Sequence, residues 1–345
     1  MKVLYHAPES ACLDGDDGGT GRELLNRKRM AESQGARVEL FHMWAPRQLR
    51  AAQVLHTFSP GAGSYPLCRA ARAAGCRLVV SPIYDSALPA VLARSWIGLS
   101  RCARPLLSEL GELARVLKMA DAVVVRSQCE LRAMRSVFGI PRGRLHLVWD
   151  AVPEPAEPAS DPVEIPPELA GIDRGVLFAG DVANPRKNVI RLLEAAGPLG
   201  VPVVISGPLR PGRITDRILA LAAGFRDVRV PGKVSRVLLA ALMRRARVFA
   251  LPSLYEGASL AAMEAGCLGC NVVVTAGGAT DHFADMATYV DPRSVRSIRA
   301  GLETELAHSR TGALGRHLRG HFNASRLAAL LMNAYRPNAG EPCCP

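Results

Sequence analysis

The stretch "PSLYEGASLAAMEAGCLG" (252–269) sets Glu256 and Glu264 eight positions apart among residues that are nearly all small. Glu256 follows the apolar run "RVFAL" and lies in a glycine-containing loop; Glu264 falls inside an expected helix of Ala, Met, Gly, Cys and Leu. A carboxylate in such surroundings costs free energy unless something satisfies it. Two neighbouring hydroxyls, as a ribose presents them, would satisfy Glu264. Gly257, Ala258 and Ser259 are small, and the free N–H groups of Ser259, Leu260 and Ala261 should point out of the helix start. Such a start suits a phosphate. Ser259 also has the residue type of an N-cap, which is compatible with a bound phosphate. Glu264 is not the partner in a capping box, because Ala262 stands three residues after Ser259.

A second cluster is "AGDVANPRKN" (179–188), between the apolar run "GVLFA" and the helical pattern "VIRLLEAA". It places Arg186 and Lys187 beside a helix N-terminus, where cations oppose the dipole. An anion such as a diphosphate would make the arrangement favourable.

Both clusters need elements to hold them. Short apolar β runs alternate with helical stretches along all 345 residues, enough chain for two domains. Strands are expected at 2–7, 36–41, within 51–58, and at 77–83, 121–127 and 144–149. A long helical region is expected from about 89 to 119. A second series of strands is expected at 175–180, 201–207, 227–232, 246–253 and 270–276. This alternation predicts an α/β fold of two doubly wound parallel-sheet domains. Between them, six prolines and four acids crowd residues 153–167 into a linker. In open parallel sheets ligands bind beyond the carboxyl ends of the strands, and both clusters fall there.

The C-terminal half resembles the retaining GT-B glycosyltransferases of family 4. The resemblance rests on Glu256 and Glu264 as an E-x7-E pair in the frame "P-S-x-Y-E-G", the strand–"PRK"–helix element, "ISGP" (205–208) and "VTAGGATDHFAD…YVDP" (274–292). The N-terminal half is similar more loosely, through "GGTGRELLNRKRMAESQGARVELF", "VLHTFSPGAGS" and "ADAVVVRSQCE". The resemblance implies GT-B architecture, two Rossmann-like domains facing across a cleft. It implies an acceptor domain (1–152), the linker (153–168), a nucleotide-sugar domain (169–320), a helix (321–336) for which crossing back is one arrangement, and a tail (337–345). Glu256 would then bind donor sugar hydroxyls and Glu264 the ribose. Lys187 would neutralise the diphosphate, helped by Arg186 and by the amides after Gly257. Gly18 and Gly19 would let the N-terminal loop approach the sugar or the phosphate. The implied reaction transfers sugar from a nucleotide-diphosphate sugar to a glycan or lipid-linked acceptor, with retention, no cofactor and no divalent metal.

Three positions depart from the family pattern. Asp181 stands where an Arg is common. Tyr84, with Asp85 beside it, stands where a His is common, and His56 ends a different strand. "VWDAV" replaces the usual Asn-Gly. These leave open a catalytically silent GT-B subunit, and the fold leaves open a sugar-nucleotide epimerase.

Composition bounds the partners. Net charge is +12, of which residues 1–150 carry +8, with 21 Lys and Arg against 13 Asp and Glu. Basic charge attracts phosphates or anionic head groups. With no nucleic-acid motif beside it, nucleic acid is not expected as a partner. In residues 88–121, Arg94, Arg101, Arg104, Arg115 and Lys118 interleave with Leu92, Trp96, Ile97, Leu99, Leu106 and Leu107. Such a stretch either lies on an anionic membrane surface or packs its apolar side on its own sheet with its arginines in water. No apolar run reaches membrane-spanning length and no leader is read, so a cytoplasmic protein is expected, with a peripheral place on the inner membrane face as one arrangement. The nine cysteines are unpatterned; Cys267 and Cys270 form a lone C-x-x-C, read as packing residues.

Overall fold

The structure is a computed structural model that describes residues 1–8, 19–45, 47–61, 63–86, 88–102, 108–152, 163–257 and 259–337, with no side-chain detail at 19, 101 and 102. The chain divides into two units, Met1–Ala151 with Phe322–Pro345, and Val152–His321.

In the first unit, aliphatic runs such as "LVV" (78–80) and "AVVV" (122–125) form central strands buried on both faces, the pattern of a covered parallel sheet, and less buried strands lie at its edges. The strands are β1 (Lys2–His6), β2 (Arg37–Leu40), β3 (Val54–Phe58), β4 (Arg77–Ser81), β5 (Ala122–Val125) and β6 (Leu145–Leu147). They are parallel in the order β2-β1-β3-β4-β5-β6. The helices are α1 (Gly19–Ser33), α2 (Gln48–Ala51), α3 (Ser64–Ala73), α4 (Ala90–Cys102), α5 (Glu109–Met119) and α6 (Gln128–Ser136). One face of the sheet packs Leu4, Leu55, Leu78, Val80 and Val123 against Val116 and Leu117 of α5. The single helical region expected over 89–119 is instead two helices. Pro105 falls between them, and Ser108 starts α5 as an N-cap, its hydroxyl accepting from the Gly111 N–H at 3.0 Å.

The second unit has β7 (Val176–Ala179), β8 (Val203–Ser206), β9 (Val228–Gly232), β10 (Val248–Leu251), β11 (Asn271–Thr275) and β12 (Thr288–Val290). Its helices are α7 (Val189–Ala196), α8 (Arg213–Ala223), α9 (Arg236–Arg245), α10 (Leu260–Cys267), α11 (Thr280–Phe283), α12 (Val295–Ala307) and α13 (Ala313–His321). The parallel order is β12-β11-β10-β7-β8-β9. The chain runs outward from β7 through β8 to β9, then returns to the other side of β7 for β10. The sheet therefore switches direction between β7 and β10, where α/β sheets open a crevice for ligands. β12 was not anticipated from sequence.

The last helix, α14 (Ala324–Tyr335), belongs to the first unit and packs on α1, β5 and β6. The Tyr335 hydroxyl is hydrogen-bonded to the Tyr5 hydroxyl at 2.7 Å and to His56 Nδ1 at 2.8 Å, and His56 Nε2 to Ser81 Oγ at 2.9 Å. All four residues are buried. Burial holds His56 well below the usual imidazole range, so it is a neutral structural group. Residues 153–162 of the expected linker lie outside the described residues.

Candidate functional site

The loops after β7 and β10 meet at the switch point. Asn184 to Asn188 does not run straight into α7. Pro185–Lys187 forms a short 3-10 turn, and Asn188 adopts a left-handed conformation at φ 59° before the helix begins. That turn aims both cations at the β10 loop. Lys187 Nζ donates to Glu256 Oε1 at 2.7 Å, and Arg186 Nη1 lies 3.0 Å from Glu256 Oε2. The Glu256 carboxylate is only 5% exposed. The expectation placed Arg186 and Lys187 toward a diphosphate and Glu256 toward a sugar; the structure brings the three together.

Main-chain and amide bonds stitch the two loops. The Leu254 N–H donates to Arg186 O at 2.8 Å, and Arg186 Nη1 donates to Tyr255 O at 3.0 Å. The buried Asn188 amide donates to Pro252 O at 2.9 Å and to Pro292 O at 2.7 Å. Thr275 Oγ1, at the end of β11, donates to Ser253 O at 2.6 Å. Gly278 closes the site from behind. A methyl group there would collide with the Gly257 carbonyl oxygen and lie 2.7 Å from that of Glu256. Gly207, at the end of β8, is equally constrained, since a side chain would meet the Gly180 carbonyl oxygen.

Gly257 is buried and α10 begins at Leu260. Ser259 occupies the N-cap position, yet its hydroxyl makes no cap; it is buried without a hydrogen-bond partner among the described residues, as is that of Ser253. Glu264 is buried in the middle of α10 at 6% exposure, beside Ala265 and Gly266, as its neighbours suggested. Ala258 and Gly18 lie outside the described residues, and Gly19 is the first residue of α1.

At this switch point sequence reasoning missed Arg210. Arg210, in the loop after β8, reaches Asp181 Oδ2 at 3.3 Å. The acid that replaces the family's common arginine thus has a cation opposite it, supplied by another strand end. The arginine in "GPLRPGR" just after an apolar strand was the signal. Cys267 and Cys270 are free thiols, and burial pushes them up to about 11 and about 12. Among the described residues no group of three or more His, Cys, Asp or Glu side chains could hold a metal ion.

The first unit has a buried charge network at its own strand ends. Arg126, directly after β5, lies 2.9 Å from Asp85, 3.5 Å from Glu130 and 3.6 Å from Glu23. Arg27 lies 3.3 Å from Asp150 and 4.0 Å from Glu23, and donates to Val148 O and Trp149 O. Glu130 also accepts from the Tyr84 and Arg126 N–H groups, both at 2.7 Å. The Tyr84 ring packs edge-on to Phe138. Burial and the Asp150 carboxylate push Glu23 up to about 8. Of this network the sequence singled out Tyr84, Asp85 and the "VWDAV" segment that holds Asp150, but not Glu23, Arg27, Arg126 or Glu130. Its legible trace was Ser127-x-x-Glu130, a capping-box spacing after an apolar strand.

Two doubly wound parallel sheets, one in each unit, are the GT-B architecture. Residues 173–307 match the family of glycosyl transferases group 1, and residues 18–149 match the glycosyl transferase 4-like domain. The chain is a glycosyltransferase, with one of these family domains in each half. Among solved structures it is similar to sucrose-phosphate synthase from Thermosynechococcus elongatus, at 16% identity and a TM-score of 0.72, covering 97% of this chain and 98% of that one. A glycosyltransferase from Rickettsia africae matches at 13% identity and 0.69, covering 97% of each chain. The Anabaena protein HepE, in complex with UDP and glucose, matches at 15% identity and 0.67, covering 96% of this chain and 98% of that one. Among curated proteins no sequence match was found.

Proposed function

We propose that this glycosyltransferase moves a sugar from a nucleotide-diphosphate sugar to a glycan or lipid-linked acceptor, with retention of anomeric configuration and without a divalent metal. The observation that carries this reading is the Lys187–Glu256–Arg186 cluster, set at the switch point beside the start of α10. Lys187, Arg186 and the helix start would meet the charge that develops on the departing diphosphate, the role a metal fills elsewhere. Glu256 would hold hydroxyls of the donor sugar, and Glu264 the ribose. HepE, solved with UDP and glucose, makes UDP-sugars the first donors to test.

The outer face of α4 suggests where the acceptor is met. Ala93 and Ile97 pack inward, while Val91, Leu92, Trp96 and Leu99 stand 73%, 59%, 52% and 52% exposed, with Leu88 just before the helix at 55%. Arg94 is exposed at the edge of this stripe. An apolar stripe carrying Trp with an arginine at its edge suits the interfacial zone of an anionic membrane. We read this as peripheral association with an inner membrane face. Arg115 does not serve it, being held over the Tyr65 ring and against Glu112.

The test is turnover with UDP-, GDP- and ADP-sugars in EDTA, with the product anomer read by NMR. Transfer with the donor's anomeric configuration is expected. Inversion would overturn retention. Activity lost in EDTA and restored by Mg²⁺ or Mn²⁺ would overturn the metal-free reading. Free epimerised sugar nucleotide would identify an epimerase, and nucleotide binding without donor consumption a silent subunit.

A further inference from the structure

The cations that a donor diphosphate would need are already neutralised. Glu256 accepts from Lys187 Nζ at 2.7 Å and lies 3.0 Å from Arg186 Nη1, with both contacts largely shielded from water. Charge-assisted contacts of this kind are strong, and a second anion cannot approach the same nitrogens without repulsion from the carboxylate. Arg186 has a second tether, the Tyr255 carbonyl, and stays in place whichever anion it faces. Glu256 is the partner free to change.

We propose that the diphosphate of a bound donor displaces Glu256 from Lys187 and Arg186, and that the released carboxylate is then satisfied by the donor's sugar hydroxyls. This rests on the donor-site reading above. A nucleoside diphosphate without sugar also displaces Glu256 but offers it no hydroxyls, so a nearly buried carboxylate is left without a partner, which is costly. The site therefore discriminates against its own product. When the sugar has been transferred, Glu256 returns to Lys187 and Arg186 and competes with the nucleoside diphosphate for them. One side chain thus links sugar recognition to product release through a single pair of cations.

Calorimetry with UDP, GDP and ADP and with their glucose conjugates tests this on the full chain. In Glu256→Gln, which keeps the shape and removes the competing charge, the cognate diphosphate is expected to bind about tenfold tighter than in the parent protein. The sugar nucleotide should gain less or lose affinity. Glu256→Asp, too short to reach both cations, should give an intermediate gain and serves if the Gln variant does not fold. In a Lys187→Met background the gain from Glu256→Gln should shrink markedly, because the two act on one interaction. Equal diphosphate affinity with and without the Glu256 charge overturns the proposal, as does a gain undiminished by Lys187→Met. Absence of binding by every nucleotide, to the parent protein and to the variants, overturns instead the donor-site reading beneath it.

Discussion

Glu264 and Glu23 are both buried carboxyls on helices near strand ends, and their surroundings give them opposite uses. Glu264 sits among Ala262, Met263, Ala265 and Gly266 in the helix that follows the Glu256 loop. Glu264→Ala is expected to weaken nucleoside-diphosphate binding by about 1–3 kcal/mol, the range for hydrogen bonds to a charged group. Calorimetry on the folded variant checks this, and unchanged affinity would leave Glu264 a structural residue. Glu23 keeps its proton to about pH 8 because burial and Asp150 outweigh Arg126 and Arg27, which lie 3.6 and 4.0 Å away. In the unfolded chain the same group ionises near its ordinary value of 4.5. Between these values the folded state holds one proton more, so unfolding releases it and stability falls as pH rises, by up to about 1.4 kcal/mol per pH unit. Below the lower value and above the upper one this contribution is flat. Glu23→Gln is always neutral and should lose that slope, so urea midpoints at pH 5 and pH 8 should converge relative to the parent. Parallel pH profiles in the two proteins would contradict the protonated Glu23.

At the level of elements, the site depends on two loops 69 residues apart that are tied together by backbone. Gly278 holds the second loop by having no side chain. Gly278→Ala is expected to push Glu256 and Gly257 off their positions, at a cost of about 1–3 kcal/mol for overpacking. Its KM for donor should rise more than its melting temperature falls; unaltered kinetics in a folded variant would remove Gly278 from the site. The strands were largely legible because parallel strands covered on both faces read as unbroken runs such as "VLFA", "VVIS" and "VVVT". β12 was not, because "TYV" is three residues long and only half-buried at two of them. Arg186, Lys187 and Glu256 could each be picked out by type and spacing. Their mutual pairing could not, since it depends on the left-handed Asn188 turning the 3-10 segment toward β10. The Arg126 network was hidden for a related reason: its members come from α1, from α6 and from the ends of β4, β5 and β6, and only the folded sheet gathers them.

At the scale of the whole molecule, charge and apolar exposure make the membrane prediction. The net charge of +8 on residues 1–150 accompanies the exposed stripe of α4, and each basic residue near an anionic surface contributes about 1 kcal/mol. Flotation with anionic liposomes should recover the protein at low salt and less of it at high salt. Leu92→Glu with Trp96→Glu should abolish recovery, and Arg101→Glu with Arg104→Glu should reduce it. Equal recovery on neutral and anionic vesicles would favour a soluble acceptor. The placement of α14 has a different consequence, for the order in which the protein is made. The sheet of the first unit is complete by Leu147, but Tyr5 and His56 wait for a hydroxyl carried by Tyr335. All of residues 152–321 must be synthesised before that helix leaves the ribosome. Domains generally fold as units in the order of their synthesis. Here the half translated first is the half completed last, and a released chain ending at residue 321 would carry the whole of the second unit together with a first unit whose buried Tyr5 and His56 lack that hydroxyl.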